Sequence, residues 1–258
     1  MLVDSHCHLD MLCAQQQLDI ADVIAEAKEQ AVEHMLCVSV SLERFAPMME
    51  LIEPWPQVSA SVGVHPDGRD VEEPGVERLV ALAQSGRIVA IGETGLDYFR
   101  SEGDLEWQRE RFRCHIRAAR QVGKPLIVHT RAAREDTLAI LREEQAGEVG
   151  GVMHCFTEDW DTARAAMDLG FHISFSGIVT FKNAVDLKDV ARKVPAERML
   201  VETDSPYLAP VPRRGKPNRP AWVRHVAEYL AELRGEPLER LADYTTRNFH
   251  RLFSPAAR

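Results

Sequence analysis

The chain has 258 residues, a length that suits one α/β domain of the barrel kind, which runs to about 250 residues. Hydrophobic residues make up 45% of it, enough for a substantial core, and no apolar run reaches the roughly 18 residues that a membrane span needs. The formal net charge of −9 argues against a protein that coats duplex DNA through a broad basic surface, though not against an end or a single strand entering a pocket.

The chain opens Met1-Leu2-Val3-Asp4-Ser5-His6, without the basic and apolar regions of a secretory leader. A cytoplasmic location is the expectation. Cys7, Cys13, Cys37, Cys114 and Cys155 are odd in number and lack CxxC spacing. They read as small buried hydrophobes in a reducing compartment, not as a disulfide framework or a structural zinc site.

In chain order, the first predicted strand is Leu2–Ser5, which ends in His6-Cys7-His8. A helical pattern follows over Ile20–Glu33, then a second strand over Met35–Val40. The third, Val58–Val62, runs into Gly63-Val64-His65-Pro66, ahead of a helix over Val76–Gln84. The fourth, Ile88–Ile91, leads into Gly92-Glu93-Thr94-Gly95, with Asp97 and Tyr98 placed in a loop beyond. After a helix over Trp107–Val122, the fifth strand, Leu126–Val128, ends in His129, with Arg131 two residues on. A helix over Arg134–Glu144 precedes the sixth, Gly151–Met153, which ends in His154. Helix Asp161–Leu169, strand His172–Phe175 and helix Val185–Lys193 come next. The eighth strand, Met199–Val201, ends in Glu202-Thr203-Asp204. Two helices, Ala221–Arg234 and Leu238–Phe253, complete the chain.

Gly95, Gly123, Gly150, Gly170 and Pro195 punctuate the connections, and no linker divides residues 1–258, so one domain is expected. Eight strands alternating with helices imply a parallel sheet. Right-handed crossovers and the length favour closure into a (β/α)8 TIM barrel, with a doubly wound open sheet as the alternative.

Active sites of such barrels lie at the C-terminal ends of the strands. His6 and His8 sit two apart on extended chain, so both imidazoles face one way and Cys7 the other. That pair alone is a weak pattern, and a lone His129 or His154 is ordinary in a core. The coincidence carries the argument: four histidines and two carboxylates fall at the ends of five strands that converge on one axis. Six ligands exceed what one ion needs. A bridging carboxylate between two cations about 3.5–4 Å apart would use them well. His6, His8 and Asp204 are assigned to one ion, His129 and His154 to the other, and Glu93 to both. Imidazoles suit Zn2+, while carboxylates and retained water suit Mg2+ or Mn2+, so the metal stays open.

These residues, in this order, resemble the TatD family of metal-dependent deoxyribonucleases, in particular its YcfH-like branch. The matching segments are LVDSHCHLD at the start, GVHP at 63–66, IGETGLDY at 91–98, KPLIVHTR at 124–131, GVMHCFTED at 151–159, ISFSGIVTF at 173–181 and VETDSPYLAPVPRRGKPNRP at 201–220. The segment Leu42–Pro56 reads as a few residues shorter than in the family. The resemblance implies an amidohydrolase-type TIM barrel whose metal ligands map onto His6, His8, Glu93, His129, His154 and Asp204. It also implies a divalent-metal nuclease, often a 3′-to-5′ exonuclease preferring single-stranded DNA ends, and often a monomer.

Individual roles follow as expectations. Asp204 orients the attacking water and takes its proton, or serves purely as a ligand. Glu202, two residues earlier, orients a ligand histidine or forms a plain core ion pair. His65 binds phosphate or protonates the leaving oxygen. Tyr98 stacks on a base or packs on the barrel rim. Arg131, and Arg213, Arg214 and Lys216 in the basic stretch after the last strand, are candidates for phosphate contacts, against a solvated charged face. Two-metal barrels also open cyclic amides, lactones and phosphotriesters, and some relatives are linked to removing D-amino acids from tRNA. A carboxylated bridging lysine would point to the cyclic-amide enzymes; Glu93 in that place favours the nuclease branch. An inert binding scaffold would leave buried ligands unsatisfied, and a nicotinamide enzyme would need a GxGxxG that the chain lacks.

Overall fold

The hydrophobic periods of the sequence become a ring of strands inside a ring of helices. The computed structural model describes residues 1–69 and 71–254. β1 (Leu2–Cys7) is followed by α1 (Leu9–Gln16) and α2 (Ile20–Glu29), β2 (Val32–Cys37) by α3 (Phe45–Ile52), and β3 (Val58–Val62) by α4 (Val76–Leu82). β4 (Ile88–Asp97) leads to α5 (Glu106–Val122), β5 (Leu126–Arg131) to α6 (Arg134–Glu143), and β6 (Gly151–Met153) to α7 (Trp160–Asp168). β7 (Phe171–Phe175) leads to α8 (Val185–Lys193), and β8 (Met199–Val201) to α9 (Val223–Arg234) and α10 (Leu238–Leu252).

The strands pair in sequence order from β1 to β8, and every pair is parallel. The ring closes where Cys7 bridges Ser205, with His8 N–H donating to the Ser205 carbonyl at 2.8 Å and Asp204 N–H to the His6 carbonyl at 2.9 Å. The expected barrel is therefore present, and the open sheet is set aside. Among the described residues no helix is long and apolar enough to cross a membrane.

Inside the ring, Val3, Leu36, Val89, Ile127, Val152 and Leu200 pack with Phe249 and Phe253 from α10 and its end. Most lie near the starts of their strands, so this apolar plug fills the N-terminal end of the barrel. Burying each such side chain stabilises the fold by about 1.5–3 kcal/mol. The other end is left to polar groups.

Several expected bounds need correction: β1 runs on to Cys7 and β5 to Arg131, while β2 ends at Cys37 and not at Val40. The helix predicted to Glu33 stops at Glu29, and β2 begins at Val32, three residues before the expected start. Ala31, at φ +60°, makes the turn, a conformation that alanine does not announce in a sequence. α1 and α3 were not anticipated; each is only eight residues long, too short for a clear period. Most consequential, β4 continues through Glu93 to Asp97, so Glu93 and Asp97 lie on a strand and not in a loop. Glycine permits this. Gly95 has φ +129°, and a Cβ there would stand 2.0 Å from the His129 carbonyl oxygen. Gly92 likewise has φ +149° with the Ile127 carbonyl 2.7 Å from where a Cβ would be.

Candidate metal centre

The C-terminal mouth of the barrel opens into a cleft of about 840 Å3 whose walls include His8, His65, Glu93, His129, His154 and Asp204. The size lies within the usual range for small-ligand sites. His6 lies beneath, fully buried.

Glu93 is the centre of the arrangement. Its Oε2 lies 3.3 Å from His6 Nε2 and 3.8 Å from His8 Nε2. Asp204 Oδ1 completes that group, 3.6 Å from His6 Nε2 and 3.4 Å from His8 Nε2. The other oxygen, Oε1, lies 2.8 Å from His154 Nε2, 3.2 Å from His129 Nδ1 and 3.3 Å from His65 Nε2. One buried carboxylate thus faces two sets of imidazole nitrogens, one set per oxygen.

The outer nitrogens are already engaged. His8 Nδ1 donates to the Val38 carbonyl at 2.9 Å, and His154 Nδ1 donates to Glu202 Oε1 at 3.2 Å. His129 Nε2 donates to Asp97 Oδ2 at 3.1 Å, and His65 Nδ1 lies 2.5 Å from Asp67 Oδ1. For His8, His129 and His154, an acceptor on the outer nitrogen fixes the proton there and turns a lone pair inward, which is how metal-binding histidines are oriented. His6 Nδ1, His6 Nε2 and His154 Nε2 make no hydrogen bond at all. Buried polar atoms without partners are costly. Divalent cations between these groups would satisfy them, so the donor set fits such ions.

The electrostatics agree. Burial opposes ionisation of Glu93, but the rings of His154, His65 and His129 outweigh it and hold its carboxyl well below the usual range. Asp204 is held below its ordinary value in the same way, by His8, His6 and His154 against burial. Burial and the neighbouring His154 ring, stacked at 3.9 Å, keep His6 below the ordinary imidazole range. His65 is pushed up to about 9, because Glu93 and Asp67 overcome the cost of burial.

Around this centre the structure places the remaining candidates unevenly. Glu202, fully buried, holds His154 Nδ1 and also accepts from Cys155 N–H at 2.8 Å. Arg131 lines the cleft. Tyr98 does not: its hydroxyl donates to Asp136 at 2.6 Å and Arg109 covers its ring, so it is packed on the outside of β4 and β5. Arg213, Arg214 and Lys216 are exposed and lie outside the cleft wall. Arg213 lies over Trp222, and Arg214 lies 3.7 Å over Phe181, which follows β7 on the same end of the barrel.

Several groups at the site were given no role by the sequence reading. Asp97, expected in a loop, is on the strand and takes one; its Oδ1 also accepts from Phe99 N–H and Arg100 N–H. Asp4 binds Thr203 through N–H at 2.8 Å and hydroxyl at 2.5 Å, stitching β1 to the end of β8 beneath His6 and Asp204. Arg44 and Arg100 line the cleft but are paired with Asp10 and Asp67. His115 accepts from Val64 N–H at 3.0 Å and fixes the backbone beside His65. The ETGLD segment offered a hint for Asp97; nothing local marks the others.

The family model described as TatD related DNase matches residues 3–254. The chain is 54% identical to the uncharacterized metal-dependent hydrolase YcfH of Escherichia coli K12, over 98% of this chain and 95% of that one. It is 33% identical to the 3′-5′ ssDNA/RNA exonuclease TatD of Edwardsiella piscicida, over 91% and 93%. Among solved structures, the TatD homolog YJJV of Escherichia coli K12 superposes with a TM-score of 0.88 at 27% identity, covering 98% of this chain and 97% of that one.

Proposed function

The chain belongs to the TatD family of metal-dependent hydrolases that act on ester bonds, and from that premise we propose that it is a nuclease removing nucleotides from single-stranded ends. The observation that carries the reading is the Glu93 carboxylate set between two groups of imidazoles, a layout suited to a pair of divalent cations. His6, His8 and Asp204 would hold one ion, His129 and His154 the other, and Glu93 both. Mg2+, Mn2+ or Zn2+ bound there would supply Lewis acidity to the phosphate and lower the pKa of water.

The chain's own groups supply the rest. Asp204 is ionised at neutral pH and partly open to the cleft, so its free carboxylate oxygen can orient the attacking water and take its proton. His65, with Asp67 holding Nδ1 and Nε2 3.3 Å from Glu93 Oε1, stands where it can give a proton to the leaving oxygen. Glu202 fixes His154. Arg131, on the cleft wall with its guanidinium over the Phe99 ring, can hold a phosphate. Arg213, Arg214 and Lys216 would meet the strand only farther out along the rim. The relative named as a 3′-5′ exonuclease supports the polarity. A cytoplasmic monomer of one domain is part of the same proposal.

The test strips the purified protein of metal, restores Mg2+, Mn2+ or Zn2+, and supplies labelled single-stranded DNA, duplex DNA, RNA and a D-aminoacyl-tRNA. A ladder of shortened single strands that disappears with chelator and with Glu93→Ala is the expected result. Deacylation of the tRNA without shortening of any strand would refute the proposal.

A further inference from the structure

Two exposed aromatic rings, Tyr207 on the cleft wall and Phe99 stacked against the wall residue Arg131, take no part in the chemistry above. Phe99 is 67% exposed and Tyr207 is 45% exposed, whereas the bulk of the large apolar side chains are buried. Phe99 follows β4 and Tyr207 follows β8. Three strands lie between them on either side in a ring of eight, so they stand on opposite sides of the barrel end.

Each ring is tied to the metal centre. Tyr207 lines the cleft, and its ring meets that of His8 edge-on at 6.4 Å. Phe99 is anchored through its N–H to Asp97 Oδ1 at 3.0 Å, while Oδ2 of the same carboxylate takes the proton of His129. The Arg131 guanidinium lies 4.0 Å over the Phe99 ring and reaches the cleft wall. That stack leaves the guanidinium edge available for a phosphate. A planar base laid against the pair extends a stack already begun.

We propose that Phe99 and Tyr207 are base-stacking platforms that grip a single strand on both sides of the bond to be cut, a reading that rests on the nuclease proposal. Every base has a π-face, so such platforms bind without regard to sequence. In a duplex both faces of an interior base are covered by its neighbours, so the platforms select unpaired or terminal nucleotides. They also provide affinity that a chain of net charge −9 does not obtain from a basic surface.

The experiment measures KM and kcat of the metal-loaded protein on a fluorescein-labelled oligothymidylate, and on the same strand carrying abasic sites at its 3′ end. Phe99→Ala and Tyr207→Ala each raise KM for the intact strand about tenfold, near the worth of one stacked base. kcat changes by less than about threefold, because neither ring touches the reacting atoms. Phe99→Trp and Tyr207→Phe restore KM. On the abasic strand, which offers neither ring a base, the wild type loses about the product of the two factors, and each alanine variant loses only the factor of its remaining ring. Unchanged KM in both alanine variants overturns the proposal. So does an alanine variant that loses as much as the wild type on the abasic strand, the mark of a merely structural role. A wild type that shortens no strand brings down the nuclease reading and the platforms together. A wild type that shortens strands no better than the alanine variants brings down the platforms alone.

Discussion

Replacing Asp97 by asparagine changes one atom of the buried carboxylate and should move a proton on His129, a proposed metal ligand. Asp97 accepts three hydrogen bonds: from Phe99 N–H at 3.0 Å and Arg100 N–H at 2.9 Å on Oδ1, and from His129 Nε2 at 3.1 Å on Oδ2. Asparagine keeps the first two on its carbonyl oxygen and turns its NH2 toward His129. His129 Nε2 must then accept, and the ring proton moves to Nδ1, the atom 3.2 Å from Glu93 Oε1 that should bind metal. Loss of such an outer partner lowers metal affinity about 10- to 100-fold, or about 1.4–2.7 kcal/mol. The fold should lose only about 1 kcal/mol, the difference between a charged and a neutral acceptor. Asp97→Ala differs: it strips the acceptor from two backbone N–H groups and should cost the fold about 2–6 kcal/mol. Calorimetric titration of the metal-free proteins with Mn2+, beside denaturant unfolding, separates the two effects. An asparagine variant that binds Mn2+ as tightly as the wild type would refute the tautomer argument.

Other consequences follow from the same geometry. His115 is fully buried, burial brings it down to about 4, and its Nε2 must stay unprotonated to accept from Val64 N–H. The unfolded chain takes up that proton first, so stability is flat above pH 6.5 and falls by about 3 kcal/mol between pH 6.5 and 4. Denaturant midpoints from pH 7 to 5 should fall more gently in His115→Gln; an unchanged slope contradicts the assignment. Gly95→Ala forces a Cβ to within 2.0 Å of the His129 carbonyl at φ +129° and should cost at least about 3 kcal/mol, visible as a lowered Tm. Glu202→Gln keeps the bulk but alters the partner of His154 Nδ1 and should raise the metal concentration for half-maximal activity about tenfold.

Much of the site was legible because strand ends are marked twice, by a β-branched run and by the polar residue that ends it. His6, His129, His154 and Asp204 each follow such a run within a residue or two, and the barrel brings them together. Legibility failed where a local pattern was interrupted. Gly92 and Gly95 made the end of β4 read as a loop, and that hid Asp97 on the strand beside His129. Tyr98 and Phe99 are adjacent in the bend after β4, and nothing local says that the tyrosine packs under Arg109 while the phenylalanine stays largely exposed. Long-range partners, such as Asp4 with Thr203 or His115 with Val64, leave no trace in spacing. The basic run 213–219 gave its side chains' charge but not their direction: Arg219 pairs with Glu26, and its neighbours lie along the rim outside the cleft.

Anomalous diffraction from crystals grown with Mn2+ tests the shared carboxylate most directly. Two peaks about 3.5–4 Å apart, one beside each oxygen of Glu93, are the predicted result. A single peak that leaves one imidazole group without an ion, or peaks that do not touch Glu93, would contradict it.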